Sequence, residues 1–146
     1  WLICRDRRLM ETLLAAKEQI FICNSVVDEE IALRFLERKA QFSPAIFAAM
    51  KRNFAVLDAW MAEQRALEWV RPEGGVVCFP RFRDSYPVDI ERFYRVLNIQ
   101  HKTFVGPGHW FEMERKYMRI GYGWPKYEEL VAGLAAIAQA AQEARI

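Results

Sequence analysis

One arginine, Arg119, stands in a segment whose pattern suits the binding of a carboxylate. Residues 117–122 alternate between apolar and other types, which predicts a strand with one buried face and with Arg119 on the opposite face. A guanidinium group presents a planar fork of donors that matches the two oxygens of a carboxylate, and a strand holds that fork in a fixed direction. The alternative interpretation is an ordinary surface arginine, paired with an acid such as Glu112 or Glu114.

Other residues that often carry catalysis have no spacing typical of a catalytic or metal site. His101 and His109 are the only histidines, too few for a metal cluster without well-placed acids. The three cysteines lie far apart without C-x-x-C spacing, which favours neither a zinc site nor a disulfide framework. Cys78 lies in an apolar run, where burial would suppress the reactivity of its thiol.

The composition predicts one folded domain without an affinity for polyanions. A chain of 146 residues that is 53% hydrophobic has ample material for a core. The net charge of +2 is too balanced to favour nucleic acid or an anionic membrane as a partner, and no apolar run approaches the roughly 20 residues that cross a bilayer. We therefore predict a cytoplasmic protein. The opening at Trp1, without an initiator methionine, predicts a fragment of a longer chain.

Apolar residues recur at helical spacing in three successive stretches of the first half. The first covers residues 9–21. Ser25, with an acid three positions later, predicts the cap of a second helix that fades near residue 40. Ser43 followed by Pro44 predicts the start of a third helix of about 20 residues, roughly 30 Å long.

The second half mixes short strands with two further helices. Runs 67–70 and 76–79 favour strands and flank Gly74-Gly75, which predicts a hairpin whose glycines supply positive backbone angles or let the backbone approach a ligand closely. The remaining predicted elements are a helix from Pro87 to Asn98, strands at 99–105 and 117–122, and a helix from about Pro125. This order predicts an α/β (α+β-like) fold in which helices cover a small, mostly antiparallel sheet of about four strands.

The ordered combination of these motifs resembles the C-terminal part of class I/II aminotransferases, which are pyridoxal phosphate enzymes of fold type I. The stretches that carry the resemblance are Pro72-Glu73-Gly74-Gly75, Val105-Gly106-Pro107-Gly108, Tyr117-Met118-Arg119-Ile120-Gly121-Tyr122-Gly123, Glu129-Leu130 and Gly133-Leu134. The opening Trp1-Leu2 is similar to the segment that follows the family's G-L-R-x-G stretch, just downstream of the lysine that holds the cofactor.

The resemblance implies a substrate-binding role for Arg119, which matches the arginine that grips the α-carboxylate of the substrate. It implies that residues 1–42 lead out of a large domain, and that residues 43–146 form the C-terminal small domain with the long interdomain helix. The implied reaction moves an amino group between an amino acid and a 2-oxo acid. The implied parent is a homodimer whose missing large domain binds pyridoxal 5'-phosphate.

The chain departs from the family's pattern because it lacks the part that holds the cofactor. Its six lysines match none of the family's cofactor-binding residues, so we predict that the chain alone neither binds pyridoxal phosphate specifically nor turns over amino acids. Carbon-sulfur lyase or decarboxylase chemistry fits the same residues. A non-enzymatic interaction module that uses Trp110, Phe111 and Trp124 is a further alternative.

Overall fold

A computed structural model of the chain describes residues 3–146. The two residues that resemble the segment after G-L-R-x-G, Trp1 and Leu2, lie outside that range. The chain divides into two compact units between Ser43 and Pro44.

The first unit contains helices α1, Arg7–Ile20, and α2, Val26–Glu37. The side chain of Asp6 caps α1 by accepting a hydrogen bond from the amide of Leu9. Ser25 caps α2 by accepting one from the amide of Asp28 at 3.3 Å, which confirms the predicted start of this helix. Among the described residues of α1 and α2, none is buried.

Helix α3 covers Lys39–Glu63, so the prediction that it starts at Ser43 was wrong. Pro44 lies inside the helix rather than in its first turn. A proline costs an interior helix one backbone hydrogen bond, and the Ser43-Pro44 pair therefore imitates a start signal without being one. The buried side chains of α3 are Asn53, Leu57 and Met61, all of which belong to the second unit.

Two small antiparallel sheets form the centre of the second unit. Strand β5, Met118–Gly121, lies between β2, Val77–Cys78, and β4, Gly106–Pro107. Strand β1, Leu67–Glu68, pairs with β3, Arg81–Phe82, in the second sheet. An isolated bridge between Arg81 and Tyr117 links the strand regions of the two sheets.

Helices cover the apolar face of these strands. Helix α4, Ile90–Ile99, is capped by Asp89 and packs against α5, Tyr127–Glu143. The Lys126 amide at the start of α5 donates to the carboxylate of Glu129. Side chains of the common core that are almost fully buried include Leu57, Phe82, Phe93, Leu97, Met118 and Ile137. The predicted α/β class, with helices over a small antiparallel sheet, is confirmed.

Two predicted strand assignments were wrong. The runs around Gly74-Gly75 do not pair as a hairpin, because β1 pairs with β3 and β2 pairs with β5. Residues 99–105 are not a strand, since α4 continues to Ile99 and the strand comes later, at Gly106–Pro107. In both places long-range packing overrides the local preference for a strand.

Burial of Cys78 predicts a stability that falls in alkaline solution. Cys78 is 4% exposed, and burial raises the pKa of its thiol from 9.0 to about 12. Above pH 9 the unfolded chain releases this proton while the folded chain keeps it, so the free energy of unfolding falls with pH by up to about 1.4 kcal/mol per unit. Urea unfolding at pH 8, 9 and 10 measures the slope. Cys78→Ala is expected to flatten the slope between pH 9 and 10, and an unchanged slope contradicts the prediction.

Candidate functional site

Arg119 lies on the central strand of the three-stranded sheet, and its side chain is exposed. Burial along β5 alternates, with Met118 and Ile120 in the core and Arg119 and Gly121 on the other face. This is the orientation that the sequence pattern predicts. Because β5 is bonded on both sides by β2 and β4, the backbone of Arg119 is held more firmly than that of an edge strand.

An aromatic ring supports the guanidinium group. The central carbon of the Arg119 guanidinium lies 5.3 Å from the ring centroid of Phe111, within the range of a cation–π interaction. Gly106 is paired with Arg119 across the ladder. A β-carbon at Gly106 would lie 3.2 Å from the Phe111 ring, so the missing side chain makes room for that ring beside Arg119. Sequence reasoning missed this role of Gly106, although the Gly106-Pro107-Gly108 stretch was a signal for it.

The rings of Phe79 and Tyr117 extend the aromatic surface beside Arg119. Cys78 is paired with Ile120, which places Phe79 next to Arg119 across the ladder. The Phe79 ring packs edge-on against Phe111 and stacks on Tyr117, with centroid distances of 5.5 Å in both pairs. A β-carbon at Gly121 would meet nothing within 4 Å. Arg119 therefore has an aromatic cluster on one side along the sheet, and the space above Gly121, farther along β5, is open.

Within residues 3–146, Arg119 has no carboxylate partner. The alternative of a pair with Glu112 or Glu114 is not realised, because the carboxylate of Glu114 lies 3.2 Å from the Lys116 ammonium group instead. The donors of Arg119 are thus available to a ligand. An exposed, aromatic-supported guanidinium without an internal acid is suited to a carboxylate or another planar anion.

A buried asparagine, Asn53, ties the end of the site strand to a helix. Its side chain is 2% exposed, and its amide donates to the carbonyl oxygens of Tyr122 and Pro125, both at 2.9 Å. These two bonds hold the loop that follows β5 against α3. Sequence reasoning missed Asn53. The available signal was its place between Met50 and Leu57, where a helical stripe of apolar residues would otherwise continue.

The other candidate residues from the sequence do not share the role of Arg119. Gly75 has a φ of +95°, and its carbonyl accepts a hydrogen bond from the Tyr122 hydroxyl, so the glycine pair acts as a turn. His109 is exposed, with its ring nitrogen 3.2 Å from the guanidinium of Arg115. Trp124 is 96% exposed in the loop after β5.

The lysine nearest to Arg119 in sequence does not fit attachment of an aldehyde cofactor. Hydrogen bonds from the Lys116 ammonium group to Asp84 and Glu114 raise its pKa. An amine that attacks a carbonyl must instead be neutral, with a lowered pKa. In the described part of the chain we also find no cluster of three or more potential metal ligands, and no helix long and apolar enough to cross a membrane.

Comparison with known proteins places this geometry in context. No protein-family model matches the chain. It is 30% identical over 132 residues to capreomycidine synthase from Streptomyces vinaceus, a match that covers 90% of the chain. A PLP-dependent aminotransferase from Streptococcus suis has a similar structure, with a TM-score of 0.77 over 97% of the chain at 23% identity. The PLP-dependent cyclase OrfR has a TM-score of 0.72 over 93% of the chain at 29% identity.

These matches share one architecture. The chain has the fold of the C-terminal part of fold type I pyridoxal phosphate enzymes. The predicted resemblance is thereby confirmed. The chain spans 33% of the length of capreomycidine synthase and 37% of each of the two solved structures, so it corresponds to about a third of such an enzyme.

Proposed function

We propose that this chain is the carboxylate-binding part of a pyridoxal phosphate-dependent aminotransferase. The observation that carries the proposal is Arg119: an exposed guanidinium on a central strand, supported by Phe111 and without an acid partner among residues 3–146, in a chain of this fold. In this proposal residues 43–146 are the small domain, and residues 1–42 lead out of the large domain.

Amino transfer suits a single guanidinium because both of its substrates carry the same group. The amino acid donor and the 2-oxo acid acceptor each have a carboxylate next to the reacting carbon. In the proposed site Arg119 binds that carboxylate in both half-reactions and so fixes the direction of the reacting carbon. Arg119 thus contributes by positioning the substrate. A substrate that is already held in the reactive orientation loses less entropy on the way to the transition state.

We propose that residues outside this chain bind the cofactor. Bound pyridoxal phosphate acts as an electron sink for the negative charge that develops at the reacting carbon. The pKa of Lys116 is raised rather than lowered, and the six lysines match no cofactor motif. We therefore propose that the 146-residue chain alone is inactive, and that the whole enzyme is a cytoplasmic homodimer of amino acid metabolism.

A cyclisation of an amino acid is the second candidate. Of the relatives described above, the two with the higher identities are capreomycidine synthase, at 30%, and the PLP-dependent cyclase OrfR, at 29%. The aminotransferase from Streptococcus suis is 23% identical. In this second proposal the cyclised substrate is also an amino acid, so the same carboxylate site serves either reaction.

Dependence on an acceptor separates the two candidates. The full-length protein that contains this chain is incubated with pyridoxal phosphate and a panel of amino acids, with and without pyruvate or 2-oxoglutarate. An aminotransferase is expected to consume the donor only when the 2-oxo acid is present, and to form one new amino acid for each donor lost. Mass spectrometry with a ¹⁵N-labelled donor follows the nitrogen.

Two results would contradict the proposed function. Consumption of the donor without an acceptor contradicts amino transfer, and a product that keeps both the ¹⁵N and the full carbon skeleton of the donor favours cyclisation. The 146-residue chain, tested in parallel, is expected to convert nothing. Turnover by that chain alone would contradict the proposal that the cofactor site lies outside it.

A further inference from the structure

A cavity of about 270 Å³ opens on the sheet beside Arg119. It is formed around the end of β1, the start of β3 and the residue that precedes β5. The residues that line it are Glu68, Trp69, Val70, Phe79, Arg81 and Tyr117. Pockets for drug-sized ligands commonly have volumes of roughly 300 to 1,000 Å³. This smaller cavity can therefore hold a single aromatic ring.

The cavity is continuous with the surface that carries Arg119. Phe79 follows the pair of Cys78 with Ile120 and is therefore the neighbour of Arg119 across the ladder. Tyr117 lies two positions before Arg119, on the same face of β5. Neighbours across an antiparallel ladder are about 5 Å apart, and same-face positions along a strand are about 7 Å apart. A ligand held at Arg119 thus reaches the cavity within the length of one amino acid.

The charges in the cavity are already neutralised. One oxygen of the Glu68 carboxylate pairs with Arg81, and the other lies 3.2 Å from Arg83. The guanidinium of Arg81 also lies 3.5 Å from Asp84. Both oxygens of Glu68 are therefore already in ion pairs, and Arg81 already has two acidic partners, so neither group brings an unpaired charge to the cavity.

The other residues that line the cavity are aromatic or apolar. Trp69, Phe79 and Tyr117 contribute rings, and Val70 is 91% exposed. We propose that this cavity receives the aromatic side chain of the amino acid or 2-oxo acid whose carboxylate binds Arg119. This inference rests on the proposed function, and it narrows the substrate class to aromatic amino acids. Contact of the ligand ring with the parts of these rings that face the cavity supplies the preference.

Direct binding to the ¹⁵N-labelled 146-residue chain tests the inference without any turnover. The probes are propionate, 3-phenylpropionate, 3-phenylpropanol and 4-guanidinobutyrate, titrated while NMR follows the indole N–H of Trp69. The chain has five tryptophans, and a Trp69→Phe variant assigns the signal. We expect 3-phenylpropionate to bind at least about fivefold more tightly than propionate, and only this ring-bearing acid to shift Trp69 strongly.

Variants separate binding of the aromatic ring in the cavity from binding of the carboxylate at Arg119. Phe79→Leu and, independently, Tyr117→Leu are expected to remove the fivefold preference while propionate still binds. Phe104→Leu is the matched control, because Phe104 is 65% exposed and does not line the cavity. Arg119→Leu is expected to abolish binding of both acids. Dispersed amide spectra identify the variants that remain folded.

The outcomes distinguish this inference from the proposed function. Equal affinities for propionate and 3-phenylpropionate, both lost in Arg119→Leu, overturn the aromatic pocket and leave the carboxylate site intact. Tighter binding of 4-guanidinobutyrate also overturns the pocket, because it assigns a basic side chain to it. Binding of the acids that does not depend on Arg119 overturns the inference and the proposed function together.

Discussion

Arg119→Leu is expected to lower kcat/KM for every amino acid donor by about 100-fold or more in the full-length protein. The variant loses two charge-assisted hydrogen bonds to the substrate carboxylate, each typically about 1.5–3 kcal/mol, and every 1.4 kcal/mol is tenfold. The free energy of unfolding should change little, because Arg119 is exposed and has no acid partner among residues 3–146. Steady-state kinetics and urea unfolding of the same preparations measure both effects.

Two companion variants sharpen this expectation. Arg119→Lys keeps the charge but loses the planar fork, so we expect an intermediate loss of about tenfold. Arg95→Leu is the matched control, because Arg95 is exposed on α4 in the same unit and also has no ion pair within the described residues. Activity close to wild type in Arg119→Leu, or an equal loss in Arg95→Leu, would show that Arg119 does not bind the carboxylate.

Gly108→Ala is expected to destabilise the second unit by about 3 kcal/mol. A β-carbon at Gly108 would clash with the carbonyl oxygen of Glu114 and would lie 2.9 Å from the β-carbon of Tyr117. The backbone has little freedom to move away, since the amide of Gly108 donates to the carbonyl of Tyr117 at 2.8 Å. The strand pairing beside Arg119 must therefore shift, and carboxylate affinity should fall together with stability.

Gly121→Ala is the matched control for that substitution. Gly121 lies on β5, which pairs with the strand that precedes Gly108, and a β-carbon there would meet nothing within 4 Å. We expect its free energy of unfolding to stay within about 0.5 kcal/mol of wild type. Urea denaturation followed by circular dichroism gives both values. Similar stabilities of the two variants would mean that the region around Gly108 adjusts freely and does not constrain the site.

Several features of the site follow from local rules and were predictable. The alternation along β5 sets which residues face the core, because successive side chains on a strand point to opposite sides. This rule puts Met118 and Ile120 in the core and leaves Arg119 exposed. The Ser25 cap likewise depends only on the residue's own side chain and an amide three positions later.

The pairing of the strands was not predictable from local patterns. Gly74-Gly75 between two apolar runs is a signal for a hairpin, yet Val77 pairs with Gly121 and Leu67 pairs with Phe82. By local sequence alone, a short strand could pair equally well with several other strands. The choice among them depends on which apolar faces can share one core, and that information is spread over the whole chain.

The amino-acid order alone established the class of fold, the motifs that resemble fold type I enzymes and the exposed orientation of Arg119. Only the folded molecule revealed that Phe111 supports the guanidinium, that Asn53 holds the loop after β5, and that no acid within residues 3–146 neutralises Arg119. The physical reason is distance along the chain. Alternation and capping act over two to four residues, whereas Asn53 bonds Tyr122 across 69 positions, and such contacts exist only after the core has assembled.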